Sequence, residues 1–377
     1  MKVGIMSMQR VVNYGSFLQA YSLKHNLEAL GAEVCFVDYE VEKPIVKAEN
    51  KSIVSKFNFG KIVDKILPPY QLPKKTMDKF WCEMGKYDKI YNEEMLPMLG
   101  ISGEMVYRPE LDMLVIGSDE VFNCLQTTEM VGYSKELFGY NNNAKRLISY
   151  AASFGNTNEE GLKKYKIYDE VKEMINRFDA LSARDANTYS LLDKMYHDKV
   201  IKNVDPVFLY DFEKETQVEV PISDYIVVYA YSCRIGKAEA REIKKFAKKH
   251  NKKIVCLCNP QRYLDGYLPL NPFEVLAYVK KADYVVTDTF HGTVFSIKNN
   301  KKFATFLRSG HETVYGNNEK LYDLLDTFNL LDRSVNKLCD LENILLSEPD
   351  YNKVNKIIDS EVKKGKAYLK EQVDSLY

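Results

Sequence analysis

The stretch "DYVVTDTFHGTVFSIKNNKKF", residues 283–303, holds two apolar runs separated by a polar turn. Val285-Val286-Thr287 reads as the end of a buried strand, and Thr293 to Ile297 as the start of a packed helix. His291-Gly292 therefore falls on the turn between them, and the chain has only five histidines to place. In an open α/β sheet, the turn after a strand's carboxyl end is where ligands bind.

The same strand-turn-helix grammar recurs on both sides. "KVGIMSM" is a short strand, "GSFLQAYSLKHNLEALG" an amphipathic helix closed by Gly31, and "AEVCFVDY" a second strand. Together they form a β-loop-α-β unit, expected to be parallel and right-handed. Residues 41–108 interrupt the rhythm with Lys-rich segments, a "LPPYQLP" stop and a helix in "TMDKFWCEMGKYDKIY". Alternation resumes with a strand from Met113 to Ile116, then "RLISYAASFG", a helix near 159–176, "ALSARD", a helix after Ala186 and "VIKNVDPVFL". The stretch "YDFEKETQVEVPISD" has few positions to pack and reads as the boundary. Beyond it, "YIVVYAYS", "KAEAREIKKFAKKHNK", "KIVCLCN" and "NPFEVLAYVKKA" lead back to the opening stretch.

The fold expected is α/β, with two Rossmann-like domains facing across a cleft. Residues 1–212 form an N-terminal domain with the insertion at about 41–108, and 222–350 form a C-terminal domain. Residues 351–377 are a polar helix that packs back on the first domain.

Composition narrows the function classes. Fifty-three basic residues balance fifty-three acidic ones, so no overall field favours nucleic acid or a membrane. Locally, Lys43 to Lys79 holds nine lysines against three acids, which reads as a solvated surface, with an anionic lipid-linked acceptor as the alternative. Membrane contact is expected to be peripheral at most. Seven cysteines without regular spacing suggest buried thiols in a reducing cytoplasm. Neither a leader-like h-region nor a long apolar stretch is seen, and the expected localisation is cytoplasmic. Dinucleotide, P-loop, zinc-protease and nucleophile-elbow motifs are absent, and no motif demands a metal.

What remains are polar residues at the carboxyl ends of the expected strands. They are Asn13, Tyr14 and Gly15; Ser118 and Asp119; Ser153; Arg184 and Asp185; Asp205; and Asp288, Thr289 and His291. Helix capping is the plainer reading of Asn13, and for Asp119 it stands level with a chemical role. Asp288 is expected to cap or support the His291 turn, and Asp205-Pro206 reads as an interdomain corner.

"NYGSFLQAYSLKHNLEALGAEVCFVDY", "IGSDEVFN", "RLISYAASFG", "LSARD", "VDPVFL", "VVTDTFHGTVFSIKNNKKF" and "LYDLLDTFNLLDR" stand in the order and spacing of the polysaccharide pyruvyl transferase family, which the chain resembles from about residue 3 to about residue 334. The resemblance implies a two-domain arrangement similar to B-type glycosyltransferases. It also implies transfer of the enolpyruvyl unit of phosphoenolpyruvate onto sugar hydroxyls of a surface polysaccharide or its precursor, giving a pyruvate ketal and phosphate. No cofactor beyond this donor is implied, and the partner is a saccharide acceptor.

Within that resemblance Arg184 is the candidate donor-binding cation, because a planar guanidinium grips carboxylate or phosphate through paired hydrogen bonds. An ion pair with Asp185 is the alternative. His291 matches the family's Ser-Phe-His-Gly motif, implicated in donor binding or proton transfer, with Thr289 standing where Ser is usual. Gly292 lets backbone approach a ligand, and Arg308 could add a second charge. Asp119 is the candidate that orients or deprotonates an acceptor hydroxyl. Asn13, Ser118 and Ser153 are further candidates for substrate contact.

The chain departs from the family's Gly-Ser-Asp-Gln-x-Trp-Asn pattern at Glu120 and Phe122. A lost aromatic platform and an added carboxylate put the acceptor side in question. Two other readings follow: a nucleotide-sugar-dependent glycosyltransferase of similar fold, and a non-catalytic carbohydrate-binding relative.

Overall fold

The computed structural model describes residues 1–46, 82, 85–308 and 318–377. Most of the Lys43–Lys79 segment, the "LPPYQLP" stop, the start of the helix expected near 76–91 and His311 lie outside them.

The first domain is built on β1 (Lys2–Met6), α1 (Tyr14–Glu28), β2 (Glu33–Phe36), β3 (Met113–Ile116) and β4 (Leu147–Ser149). Its strands pair in parallel in the order β2-β1-β3-β4. After β4 come α2 (Glu159–Lys164), α3 (Tyr168–Ile175), β5 (Leu181–Ala183), α4 (Ala186–Met195) and β6 (Val200–Lys202). Single parallel bridges from Ile148 to Ala180 and from Ala152 to Ala183 lay β5 beside β4, and β5 pairs with β6. The one helix expected near 159–176 is two, because Lys166 takes a left-handed φ of 59° and the chain re-enters helix at Tyr168.

The second domain runs through β7 (Tyr225–Ala230), α5 (Lys237–Lys249), β8 (Lys253–Cys258), α6 (Pro272–Lys281), β9 (Tyr284–Thr287), α7 (Phe290–Lys298) and β10 (Lys302–Thr305). Its sheet is parallel, in the order β10-β9-β7-β8. Both sheets therefore start in the middle, step to one side, and cross to the other. Each has its switch point, the crevice where chain connections diverge, between its first and third strands.

α1 departs from the amphipathic pattern expected of it. From Tyr14 to Ala20 every residue is buried, because the helix lies between its own sheet and the second domain. Phe17 meets Phe273 edge-on at 6.0 Å, and Tyr14 Oη donates to Leu270 O at 2.5 Å. One apolar cluster thus joins Val3 and Phe17 of the first domain to Tyr229, Val285 and Phe303 of the second. The end of the insertion joins it as well: helical residues 85–98 bury Tyr87, Tyr91 and Met95, and Tyr91 Oη donates to Gln9 O at 2.7 Å.

α8 (Asn318–Thr327) and α9 (Leu341–Leu346) follow, and α10 (Tyr351–Asp374) closes the chain. α10 starts against the second domain, where Tyr351 Oη donates to Lys301 O, and ends on the first. There Tyr368 Oη donates to Ser149 O at 2.9 Å and Arg146 bonds Gln372 at 2.7 Å. Gly365 permits the contact, since a Cβ there would lie 2.4 Å from Tyr150 Oη.

Candidate active site

The two switch points face each other across a cavity of about 410 Å³. The ends of β1, β3, β5, β7 and β9 converge on it, and three of the helices that follow strand ends carry a side-chain cap at the cleft. Asn13 Oδ1 accepts from Gly15 N at 2.7 Å and Ser16 N at 3.2 Å to start α1. Thr289 Oγ1 accepts from Gly292 N at 2.9 Å to start α7, and Asp185 Oδ1 accepts from Thr188 N at 2.8 Å to start α4.

Behind the cavity wall, between Arg184 and His291, sits the buried Asp205. Its Oδ2 lies 3.0 Å from Arg184 Nη1 and 3.4 Å from His291 Nε2, and Ser118 Oγ is 3.4 Å away. Burial alone raises a carboxyl's pKa. Here contact with His291 and Arg184 outweighs burial and holds Asp205 below the usual range. Asp205 also caps the short turn Pro206–Phe208 through Val207 N at 3.0 Å. The expected interdomain corner is thus at the same time the anion that joins Arg184 to His291.

Arg184 is almost wholly buried, with its guanidinium carbon 4.3 Å from the centroid of the Phe290 ring. Burial opposes its charge, but Asp119, Asp205 and Asp185 outweigh that and raise its pKa. The alternative of an exposed pair with Asp185 does not arise. Its Nη2 stands 3.6 Å from Asp119 Oδ1.

Asp119 precedes no helix, so it caps none. It holds a φ of 90°, uncommon for a residue with a Cβ, while its Oδ2 accepts from Ser16 Oγ at 2.6 Å. His291 is wedged on the opposite wall. A Cβ at Gly15 would lie 2.0 Å from its Nδ1, and Asp205 faces its Nε2.

A second buried acid, Asp288, organises the other wall. Its Oδ2 lies 2.8 Å from Arg234 Nε and 3.4 Å from Arg308 Nε. Burial raises its pKa, and the two guanidinium groups offset only part of that. Thr289, and not Asp288, caps the His291 turn. Arg308 is spent on Glu239, with Nη1 at 2.5 Å from Oε1 and Nη2 at 3.0 Å from Oε2, and does not line the cavity. Arg234, three residues past Tyr231, lines it instead. Arg184 Nε and Arg234 Nη2, both buried donors on the lining arginines, have no hydrogen-bond acceptor, and neither is the atom that meets a carboxylate in its arginine's ion pairs. Such orphaned donors are costly unless something accepts from them.

Other candidates act from behind the surface. Ser118 Oγ supports Arg184 and Asp205, and Ser153 Oγ donates to Asp185 Oδ2 at 2.6 Å, so both serve the scaffold. Gly292 gives its N–H to the cap. A Cβ there would meet Thr287 Oγ1 at 2.2 Å, so its value is close packing of α7 on β9.

The two departures at 120 and 122 have distinct fates. Phe122 is in the core, stacked on Phe138 at 4.9 Å, and offers no face to a sugar. Glu120 lines the cavity but is paired across the domain interface with Lys320 Nζ, and accepts locally from Asn123 Nδ2 at 2.8 Å. Burial works against its charge, yet Lys320 brings its pKa down to about 2. Arg234, Tyr231, Phe290 and Lys320 were not singled out in the sequence. The strand-end rule applied after β7 would have found Arg234, whereas nothing local marks Lys320.

A family model described as "Polysaccharide pyruvyl transferase" matches residues 13–310. No curated protein sequence matches significantly. Among solved structures, the chain is similar to a putative UDP-N-acetylglucosamine 2-epimerase from Listeria monocytogenes, at 13% identity over 96% of each chain and a TM-score of 0.44. The Neisseria meningitidis UDP-GlcNAc 2-epimerase bound to UDP-GlcNAc gives 11% identity over 96% of this chain and 100% of that one, with a TM-score of 0.41. An α,α-trehalose 6-phosphate synthase from Burkholderia multivorans gives 8% identity over 99% and 96%, with a TM-score of 0.42.

Proposed function

The chain belongs to the polysaccharide pyruvyl transferase family, and on that premise we propose that it moves the enolpyruvyl unit of phosphoenolpyruvate onto a hydroxyl pair of a saccharide, forming a pyruvate ketal. The observation that carries the donor assignment is the pair of buried, acceptor-less guanidinium atoms, Arg184 Nε and Arg234 Nη2, on facing walls of one small cavity. A compact polyanion with a carboxylate at one end and a phosphate at the other satisfies both.

The chemistry balances with the residues at hand. The donor's methylene carbon takes a proton, one acceptor hydroxyl adds to the neighbouring carbon, phosphate departs, and the second hydroxyl closes the ketal. Of the two hydroxyl protons released, one replaces that spent on the methylene carbon and the other leaves with phosphate. His291, packed against Gly15 with Asp205 facing its Nε2, is assigned the proton donated to carbon; Asp119, steadied by Ser16, is assigned the proton accepted from the hydroxyl. Arg184 and Arg234 hold the donor and spread the charge that develops on the leaving group.

Phosphoenolpyruvate is a cytoplasmic metabolite, which would put the reaction in the cytoplasm on a soluble or lipid-linked precursor. No described helix is long and apolar enough to cross a membrane.

Calorimetric titration with phosphoenolpyruvate tests the donor, using wild type, Arg234→Gln and uridine diphosphate as competitor. Saturable binding is expected, indifferent to the nucleotide, and weakened by about 1.5–3 kcal/mol in the variant, the value of a charge-assisted hydrogen bond. Absence of binding to the folded protein, or displacement by the nucleotide, removes the assignment.

A further inference from the structure

Beside the reaction cavity lies a larger one of about 720 Å³, in the range of about 300–1,000 Å³ common for small-ligand sites. It opens between α4 and α8, and only a thin wall divides the two. Neighbouring residues of the same segments face opposite sides: Arg184 and Asn156 line the reaction cavity, while Asp185 and Gly155 line the larger one. Lys320 borders both. Gly155 holds a left-handed φ of 55°, and a Cβ there would lie 2.5 Å from Glu120 Oε2. The partition is therefore little more than the Glu120–Lys320 pair and the glycine backbone beneath it.

The lining has a consistent chemical character. Asn187, Ser190 and Asn318 offer amides and a hydroxyl, and Tyr322 stands at the border 53% exposed. An exposed tyrosine at the border of a polar groove suits a pyranose ring, whose C–H face packs on an aromatic face while its hydroxyls meet amides and carboxylates. The charge is one-sided. Among the described lining residues Asp185, Glu319, Asp323 and Asp326 stand against one cation, Lys320, whose charge is already met by Glu120. Lys202, at 2.7 Å, compensates Asp323, and Glu319 and Asp326 are exposed.

We infer that this groove is the acceptor subsite and that it selects a saccharide without acidic groups, neutral or amino-bearing, which it presents to Asp119 past the Glu120–Lys320 pair. A uronate-bearing chain would bring its carboxylates against this predominantly acidic lining. The inference rests on the transferase reading for its purpose, but not for its test.

The experiment is saturation-transfer NMR and calorimetry on the full chain without phosphoenolpyruvate, using three probes of equal length: glucosamine, glucose and galacturonate oligomers. Binding of at least one of the first two is expected, with galacturonate weaker by about tenfold or more. Tyr322→Ala should cost about tenfold in affinity for the oligomer that binds. Asp326→Lys should narrow the gap to galacturonate. Both positions are exposed, so both variants should fold, and both should titrate phosphoenolpyruvate like wild type. Equal or tighter binding of galacturonate, no effect of Tyr322→Ala, or no binding of either non-acidic oligomer would each overturn the inference. Loss of donor binding with oligomer binding intact would instead sink the proposed function and leave the groove standing.

Discussion

Gly15→Ala probes the placement of His291 without touching any charged residue. The added Cβ would lie 2.0 Å from Nδ1, 2.2 Å from Cγ and 2.6 Å from Cε1 of the imidazole, whereas ordinary contact begins near 3.4 Å. The ring must therefore give way by more than about 1 Å, and straight retreat is blocked because Asp205 Oδ2 already stands 3.4 Å from Nε2 on the far side. It has to swing out of line with Asp205. A displacement of about 1 Å at a reacting group costs on the order of 100-fold in rate.

Stability should move far less. Alanine gains up to about 1 kcal/mol over glycine in a helix, and crowding costs about 1–3 kcal/mol, so the two partly cancel. The assay is phosphate release from phosphoenolpyruvate with a binding oligosaccharide as acceptor, alongside thermal unfolding and ring ¹⁵N shifts of His291. A turnover within twofold of wild type, with the ring shifts moved, would refute the assignment of proton transfer to His291.

Two further outcomes follow from the charged groups at the domain interface. Lys298, on the same helix as His291, is buried beside Phe208 O at 3.3 Å, and burial brings its pKa down to about 8 despite Asp211. The folded state thus holds its proton less tightly than the unfolded chain, so its penalty is full below about pH 8 and fades as pH rises toward the ordinary lysine value. Lys298→Met should stabilise the protein in urea titrations at pH 7, and a gain that fails to shrink by pH 10 would contradict this. Glu120, with its pKa near 2, behaves in the opposite sense: its tie to Lys320 contributes fully above the ordinary glutamate range and is lost as pH falls toward 2. Glu120→Gln should lower the melting temperature at pH 7 by a few degrees at most, since the pair is partly exposed, and the difference should vanish near pH 2. A deficit that persists there would show that the pair's charge is not what matters.

Most of the strand ends that build the site were legible along the chain, because a buried parallel strand is a short apolar run and the residue that ends it is polar. Met113–Ile116 and the turn before His291 could be read in that way, as could the cap at Asn13, whereas the cap expected of Asp288 falls to its neighbour Thr289. Pairings over long separations left no local mark. Nothing near Asp205 states that Arg184 and His291 will meet on it, and nothing near Glu120 points to a lysine two hundred positions on. Arg308 and Arg234 look alike in sequence; Glu239 on α5 captures the first and leaves the second at the cavity. Phe122 reads as a displaced sugar platform and proves to be core, since its neighbours Phe138, Phe154 and Phe178 come from three separate segments.

By itself, then, the order of residues determined which short segments are strands or helices and which polar groups stand at their ends, because those depend on periodicity and capping within a few residues. Which of those ends face a ligand, which charges neutralise one another and where a second groove opens were decided only when two sheets with the same strand order were brought switch point to switch point. That docking is a property of apolar surfaces spread over the whole chain, and burial there converts distant side chains into a single electrostatic unit.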